Sequence, residues 1–227
     1  MHPLLTIFRD AAAGRYPEMD DGVTFLPELG DGQEAVVCFT GHAFIASRLR
    51  ADDLSDLDPD GLGRALHPEV LLRMAGPRGS IGSIDITMFA EGRGGGALVP
   101  KPELDHHPRV AFARARRDQV RAYGSPDGLF TLGLGLGGRR EMSVENSPDG
   151  PRGRHLIHQA LTMTPRGEPL FAAVAPGNAR SVRSFLACGF VPIASEVLVR
   201  VESLGNEEEG QVSVSPRSSA VLGGNPS

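Results

Sequence analysis

The sequence predicts an α/β domain, and three observations carry the prediction. Apolar residues recur at helical spacing in some segments and at the two-residue spacing of strands in others. Glycine and proline clusters separate these segments, and the C-terminal half reads strand, strand, helix, strand, helix, strand. Hydrophobic residues make up 40% and charged residues 22% of a 227-residue chain, a balance that excludes wholesale disorder and suits one well-buried domain.

Leu4, Leu5, Phe8, Ala11 and Ala12 define a short amphipathic helix over 3–13, stopped by Gly14. Val23 to Leu26 and Glu34 to Phe39 read as strands separated by Pro27, Gly30, Asp31 and Gly32, and a further strand follows at His42 to Ala46. Helices are expected at Asp52 to Leu57 and at Pro68 to Met74, the latter with proline in the first turn, where no N–H is needed. Ile81 to Ala90 alternates Ile81, Ser83, Asp85 and Thr87 against Ile84, Ile86 and Met88, as a half-buried strand does. Gly92 to Gly96 is a glycine-rich loop, and Pro108 to Val120 reads as helical. Arg109, Arg114, Arg116, Arg117 and Arg121 make that segment an anion-binding face or, as the commoner alternative, a solvated one. Leu129 to Leu136 and Arg140 to Asn146 read as a hairpin turning at Gly137 and Gly138. A helix at Arg154 to Met163, a buried strand at Leu170 to Val174, a helix at Ala179 to Ala187 ended by Gly189, and a strand from Phe190 to Val201 complete the pattern. From about residue 203 the chain turns to Gly, Asn, Glu, Ser and Pro without an apolar period, which predicts a disordered tail over 203–227 after a single domain over 1–202.

A net charge of −5 supplies no global cationic field for a phosphate backbone, so a nucleic-acid partner is not expected. Cys38 and Cys188 lie far apart in apolar stretches and read as buried thiols. The N-terminal residues lack a basic start and a long apolar run, so neither a signal peptide nor a membrane span is expected, and the protein is read as cytoplasmic. Asp105, His106 and His107 do not converge as metal ligands on either a strand or a helix, and no metal is expected.

Gly133, Gly135 and Gly138 match the dinucleotide pattern in letters only. That pattern requires a helix after the glycines to receive a pyrophosphate, and Arg139 to Asn146 reads as a strand. The next glycine-bearing loop, Asn146 to Gly153, has the required order, with a strand before it and a helix after it whose N-terminus offers unpaired N–H donors. Downstream, Asn178, Ser181, Phe185 and the pair Gly189, Phe190 follow a buried strand. Asn-x-x-Ser, an aromatic and then Gly-Phe in this setting resemble the late motif of the GCN5-related N-acetyltransferases, over about residues 129–200.

The resemblance implies a mixed, mainly antiparallel central sheet flanked by helices, with a splayed parallel strand pair forming an acyl-CoA cleft. It makes 1–128 a divergent N-terminal half and 129–202 the acyl-CoA-binding half. Met142, Ser143 and Val144 would offer backbone groups to the pantetheine arm, and Gly150, Pro151, Arg152, Gly153, Arg154 and His155 would hold the pyrophosphate. Asn178 and Ser181 would sit beside the cofactor arm. The loop departs from the family pattern: either Gly153 is its last glycine and Pro151 replaces the earlier one, or Gly153 is the earlier one and His155 takes the last place. Phe185 stands where many members carry a tyrosine that reprotonates the leaving thiolate.

The implied activity is transfer of acetyl from acetyl-CoA to a primary amine of a small molecule or peptide by direct attack. Homodimerisation is an open expectation. Direct attack needs a base, and Glu141 and Glu145 share one face of the strand before the loop, with Glu141 favoured by the resemblance; surface carboxylates beside Arg139 and Arg140 explain both equally. The alternative from another class is a non-catalytic acyl-CoA sensor or interaction module with the same fold.

Overall fold

The computed structural model describes residues 1–147 and 153–201. Among them are five α-helices and nine strands of one open, mixed sheet. The strands are β1 (Gly22–Leu26), β2 (Gln33–Phe39), β3 (His42–Ala46), β4 (Ser80–Glu91), β5 (Asp118–Ser125), β6 (Gly128–Leu134), β7 (Arg140–Asn146), β8 (Pro169–Val174) and β9 (Val191–Arg200). The helices are α1 (Pro3–Ala12), α2 (Pro68–Ala75), α3 (Pro108–Arg114), α4 (Gly153–Met163) and α5 (Ala179–Ala187). None of the described helices is long and apolar enough to cross a membrane.

Spatial order is β1-β3-β2-β9-β4-β8-β7-β6-β5. All neighbours run antiparallel except β1 with β3 and β7 with β8. The two faces of the sheet are covered by different helices, because successive side chains on a strand point to opposite sides. On one face α1 buries Leu4, Phe8 and Ala11 against Val37, Phe44 and Phe171, and the smaller α3 packs Val110 against Ala122 and Leu129. On the other, α2 covers Val36, Ile45 and Val197, while α4 and α5 bring Leu156, Ile157, Leu161 and Phe185 onto Met88, Phe130, Met142 and Ala172.

Local chemistry sets the helix ends. His2 Nδ1 accepts the Leu4 N–H at 3.2 Å to start α1, Pro68 opens α2, and Asn178 Oδ1 accepts the Ser181 N–H at 3.1 Å to start α5. Gly189, at φ +93°, lets the chain turn out of α5 and into β9.

Three expectations need correction. The helix expected over 108–120 ends at Arg114, and Asp118–Ser125 forms edge strand β5 on β6. Pairing overrides local propensity here: Tyr123 stacks on Phe130 with ring centroids 5.0 Å apart, and Ala122 turns to the α3 side. The segment 52–57 contributes only a short 3₁₀ turn at Ala51–Leu54. Finally, β4 is not half-buried along its length: Ser80 to Ile84 are exposed, because β8 pairs with β4 only from Ile86 onward. The β6–β7 connection is a single 3₁₀ turn at Leu136–Gly138, with Gly137 and Gly138 both at positive φ and a strand after it. A Cβ on Gly137 would meet Leu4 Cβ at 2.9 Å, so this glycine also admits α1.

Candidate functional site

Strand β7 keeps its full ladder with β6, from Arg140 opposite Leu134 to Asn146 opposite Gly128. Against β8 it keeps one registered pair, Glu141 with Phe171. Beyond that pair the backbone groups of Met142 to Val144 on the β8 side have no registered strand partner, an arrangement that in a buried sheet calls for another occupant. A cavity of about 440 Å³ opens at this point, within the range of small-ligand sites. Met142, Ser143 and Val144 line it from β7, Ala173 and Val174 from β8, and Asn178, Ser181 and Phe185 from α5.

The cavity reaches both faces of the sheet. On the α4–α5 face its walls are apolar, with Met142, Val174 and Phe185 in one core cluster and Phe185 edge-on to Phe190 at 4.9 Å. On the α1–α3 face they are charged: Asp85, Arg109, Arg116, Arg117, Glu141 and Glu196.

Three of these charged groups, Arg117, Glu141 and Glu196, form a buried network around Arg139, which is fully buried and lies with its guanidinium carbon 4.4 Å from the Phe8 ring centroid. Arg139 Nε and Nη2 donate to Glu141 Oε2 at 3.0 and 2.8 Å, and Nη2 also donates to Glu196 Oε1 at 2.7 Å. Arg117 Nε donates to Glu141 Oε1 at 2.7 Å, and the Thr87 hydroxyl donates to Glu196. Burial alone would raise the Glu141 carboxyl, but Arg139 and Arg117 outweigh it and hold the group below its usual range. Both Glu141 oxygens are thus occupied by guanidiniums.

Glu145, the other expected base, accepts from Arg109 Nε at 2.8 Å and is not among the residues lining the cavity. Asp85 is different. It lines the cavity from the stretch of β4 that pairs with β9 but not with β8, opposite Glu196 in register, and accepts from the Ser83 hydroxyl at 2.8 Å. Desolvation, aided by the negative charge of Glu141, raises its pKa above the usual aspartate range, against the Ser83 hydrogen bond. In the sequence Asp85 is marked only by its place in the polar row Ser83, Asp85, Thr87, which suggests no chemistry by itself.

The remaining expected cofactor residues divide. Gly153 opens α4 with a Cβ position 3.2 Å from Asn146 Oδ1, and Arg154 and His155 are exposed on its first turn. Gly150, Pro151 and Arg152 lie outside the described residues. His107 accepts the Arg109 N–H at 3.1 Å and starts α3. Among the described residues no group of three or more His, Cys, Asp or Glu side chains could hold a metal ion. Asn178 and Ser181 meet through the cap of α5, so the motif that suggested cofactor binding also has a structural duty.

Comparison with known proteins finds no family model that matches the chain and no match among curated proteins.

Proposed function

We propose that this chain is a cytoplasmic acyl-CoA-dependent N-acyltransferase of the GCN5-related type, transferring acetyl from acetyl-CoA to a primary amine. The single observation that carries the reading is the cavity between the parallel strands β7 and β8, which hold one registered pair and lead into α4 and α5. The unpaired backbone of Met142 to Val144 suits the amides of a pantetheine arm, which alternate donors and acceptors as a strand does. The apolar wall of Val174 and Phe185 suits its methylenes. The N-terminus of α4 is a fitting seat for phosphates, since its dipole favours an anion.

In this reading the amine approaches from the charged face and attacks the thioester carbonyl. Its lone pair forms the C–N bond, the C–S bond breaks, and the thiol leaves with a proton from solvent. Asp85 takes the proton released by the amine. Of the three carboxylates considered, Asp85 is the one that faces the cavity without a cationic clamp, and burial raises its pKa above the usual aspartate range, which favours it as a base. Glu141 and Glu145 would each have to leave an arginine first. Phe185 offers no proton to the thiolate, and that feature favours a second reading, a non-catalytic acyl-CoA sensor.

Calorimetric titration with acetyl-CoA, followed by thiol release over a panel of amines, tests both. Saturable binding with turnover supports the enzyme, binding without turnover supports the sensor, and no binding removes both.

A further inference from the structure

A site built only to receive an amine gains nothing from a cationic wall, since positive charge repels the protonated form of the substrate. Yet Arg109, Arg116 and Arg117 line this cavity from α3 and the segment leading into β5. Arg109 is committed to Glu145. The other two are not fully used. Arg117, whose side chain is 9% exposed, spends Nε and Nη2 on Glu141, while its Nη1 is buried with no hydrogen-bond partner among the described residues. A buried guanidinium N–H without an acceptor is rare in a folded protein and points to a missing one. Arg116 stacks on Phe112, its guanidinium carbon 3.6 Å from the ring centroid, and donates to the Phe112 carbonyl at 3.4 Å. No carboxylate among the described residues pairs with it. Partial burial and the neighbouring cations Arg117 and Arg200 lower its pKa, a crowding that an anion would relieve.

The charges left over have a definite pattern. Arg117 and Arg139 balance Glu141 and Glu196 within the buried network. Lining the open space remain one anion, Asp85, and one cation, Arg116, and Arg117, which lines it too, keeps its spare N–H buried. These groups share the α1–α3 face with Glu141, opposite the face on which α4 would seat the phosphates of acetyl-CoA.

We propose that the acyl acceptor is a free amino acid, its amine turned toward Asp85 and its carboxylate held by Arg117 Nη1 and Arg116. The inference rests on the acyltransferase reading of the same cavity. A volume of about 440 Å³ shared with the pantetheine arm suits a single amino acid better than a peptide. A planar carboxylate also matches the fork of a guanidinium.

The test compares thiol release from acetyl-CoA with three acceptor pools: the proteinogenic amino acids, their α-carboxamides and the corresponding decarboxylated amines. The acids are expected to react at least about tenfold faster than either neutral pool at subsaturating concentration. Arg116→Gln, at an exposed position, is expected to remove most of that preference through KM and to leave acetyl-CoA affinity by calorimetry unchanged. Amides or amines reacting as well as acids overturn the inference while leaving the acyltransferase reading standing. Turnover of amides or amines but not of the acids does the same, as does a loss of acetyl-CoA affinity in Arg116→Gln, which would assign the arginines to cofactor phosphates. Absence of acetyl-CoA binding to the unaltered protein removes the acyltransferase reading itself, and the inference with it.

Discussion

Two carboxylates lining one cavity can have opposite duties, and Asp85 and Glu141 differ in what surrounds them. Asp85→Asn is expected to lower turnover about 10²- to 10⁴-fold without loss of acetyl-CoA affinity. Its effect on stability has the opposite sign to that of an ion-paired acid such as Glu141. A folded-state pKa raised above the unfolded value means that folding disfavours the ionised group, so stability falls as pH rises between the two. The asparagine variant should therefore melt at the same temperature as the parent at neutral pH, or higher. Glu141→Gln should do the reverse. It strands Arg117 and Arg139 beside a neutral amide, at a cost of about 3–5 kcal/mol, read from denaturant titration. Because the Glu141 pKa is depressed below its ordinary 4.5, the stability it contributes is complete above that pH and is lost as pH falls through the lower folded value. If Glu141 were the base instead, Asp85→Asn would keep its turnover.

Elements with their own punctuation were legible before the structure. The succession β7, α4, β8, α5 and β9 could be read because Asn178 caps, Gly189 reverses the chain, and Leu170 to Val174 is continuously apolar. Strand β5 was not legible, since it is an edge strand whose arginine-rich approach has no period of its own and whose pairing depends on β6. Asp85 was hidden for a related reason: a polar alternating row looks solvent-facing unless the neighbouring strand is known to end early. The glycine triplet at 133, 135 and 138 is followed by strand β7 and not by a helix, and the structure gives Gly135 another purpose. A Cβ there would collide with Glu141 Oε2, so this glycine exists to let a carboxylate of its own chain approach. Gly135→Ala is expected to cost about 1–3 kcal/mol in the denaturant midpoint and to weaken the amino-acid preference, as Glu141 shifts and Arg117 moves with it.

At the scale of the whole molecule, the two halves of the sequence interleave. Strand β4 lies between β8 and β9, and β9 in turn pairs with β2. The cavity inherits this: Asp85 and the three arginines come from the first 128 residues, and the strands that part come from the remainder. Expressed separately, 1–128 and 129–201 should each lack cooperative unfolding by circular dichroism, whereas co-expression should yield a complex that melts as one unit. An independently folding C-terminal fragment that binds acetyl-CoA would show that the first half is dispensable to the fold. The same interleaving bears on how the protein is born. On the ribosome β4 is finished at Glu91, but its partners begin only at Pro169 and Val191. At about 5–20 residues per second, the nascent chain carries β4 with both long edges open for about 4–16 s, and β2 with one edge open for about 8–30 s. Closing such distant pairs is slow even in a free chain, so refolding from denaturant should be governed by this late docking of the C-terminal strands. It should also be the stage most prone to aggregation, and a holdase chaperone that shields open strand edges should raise the yield most when added before the last quarter of the chain has emerged.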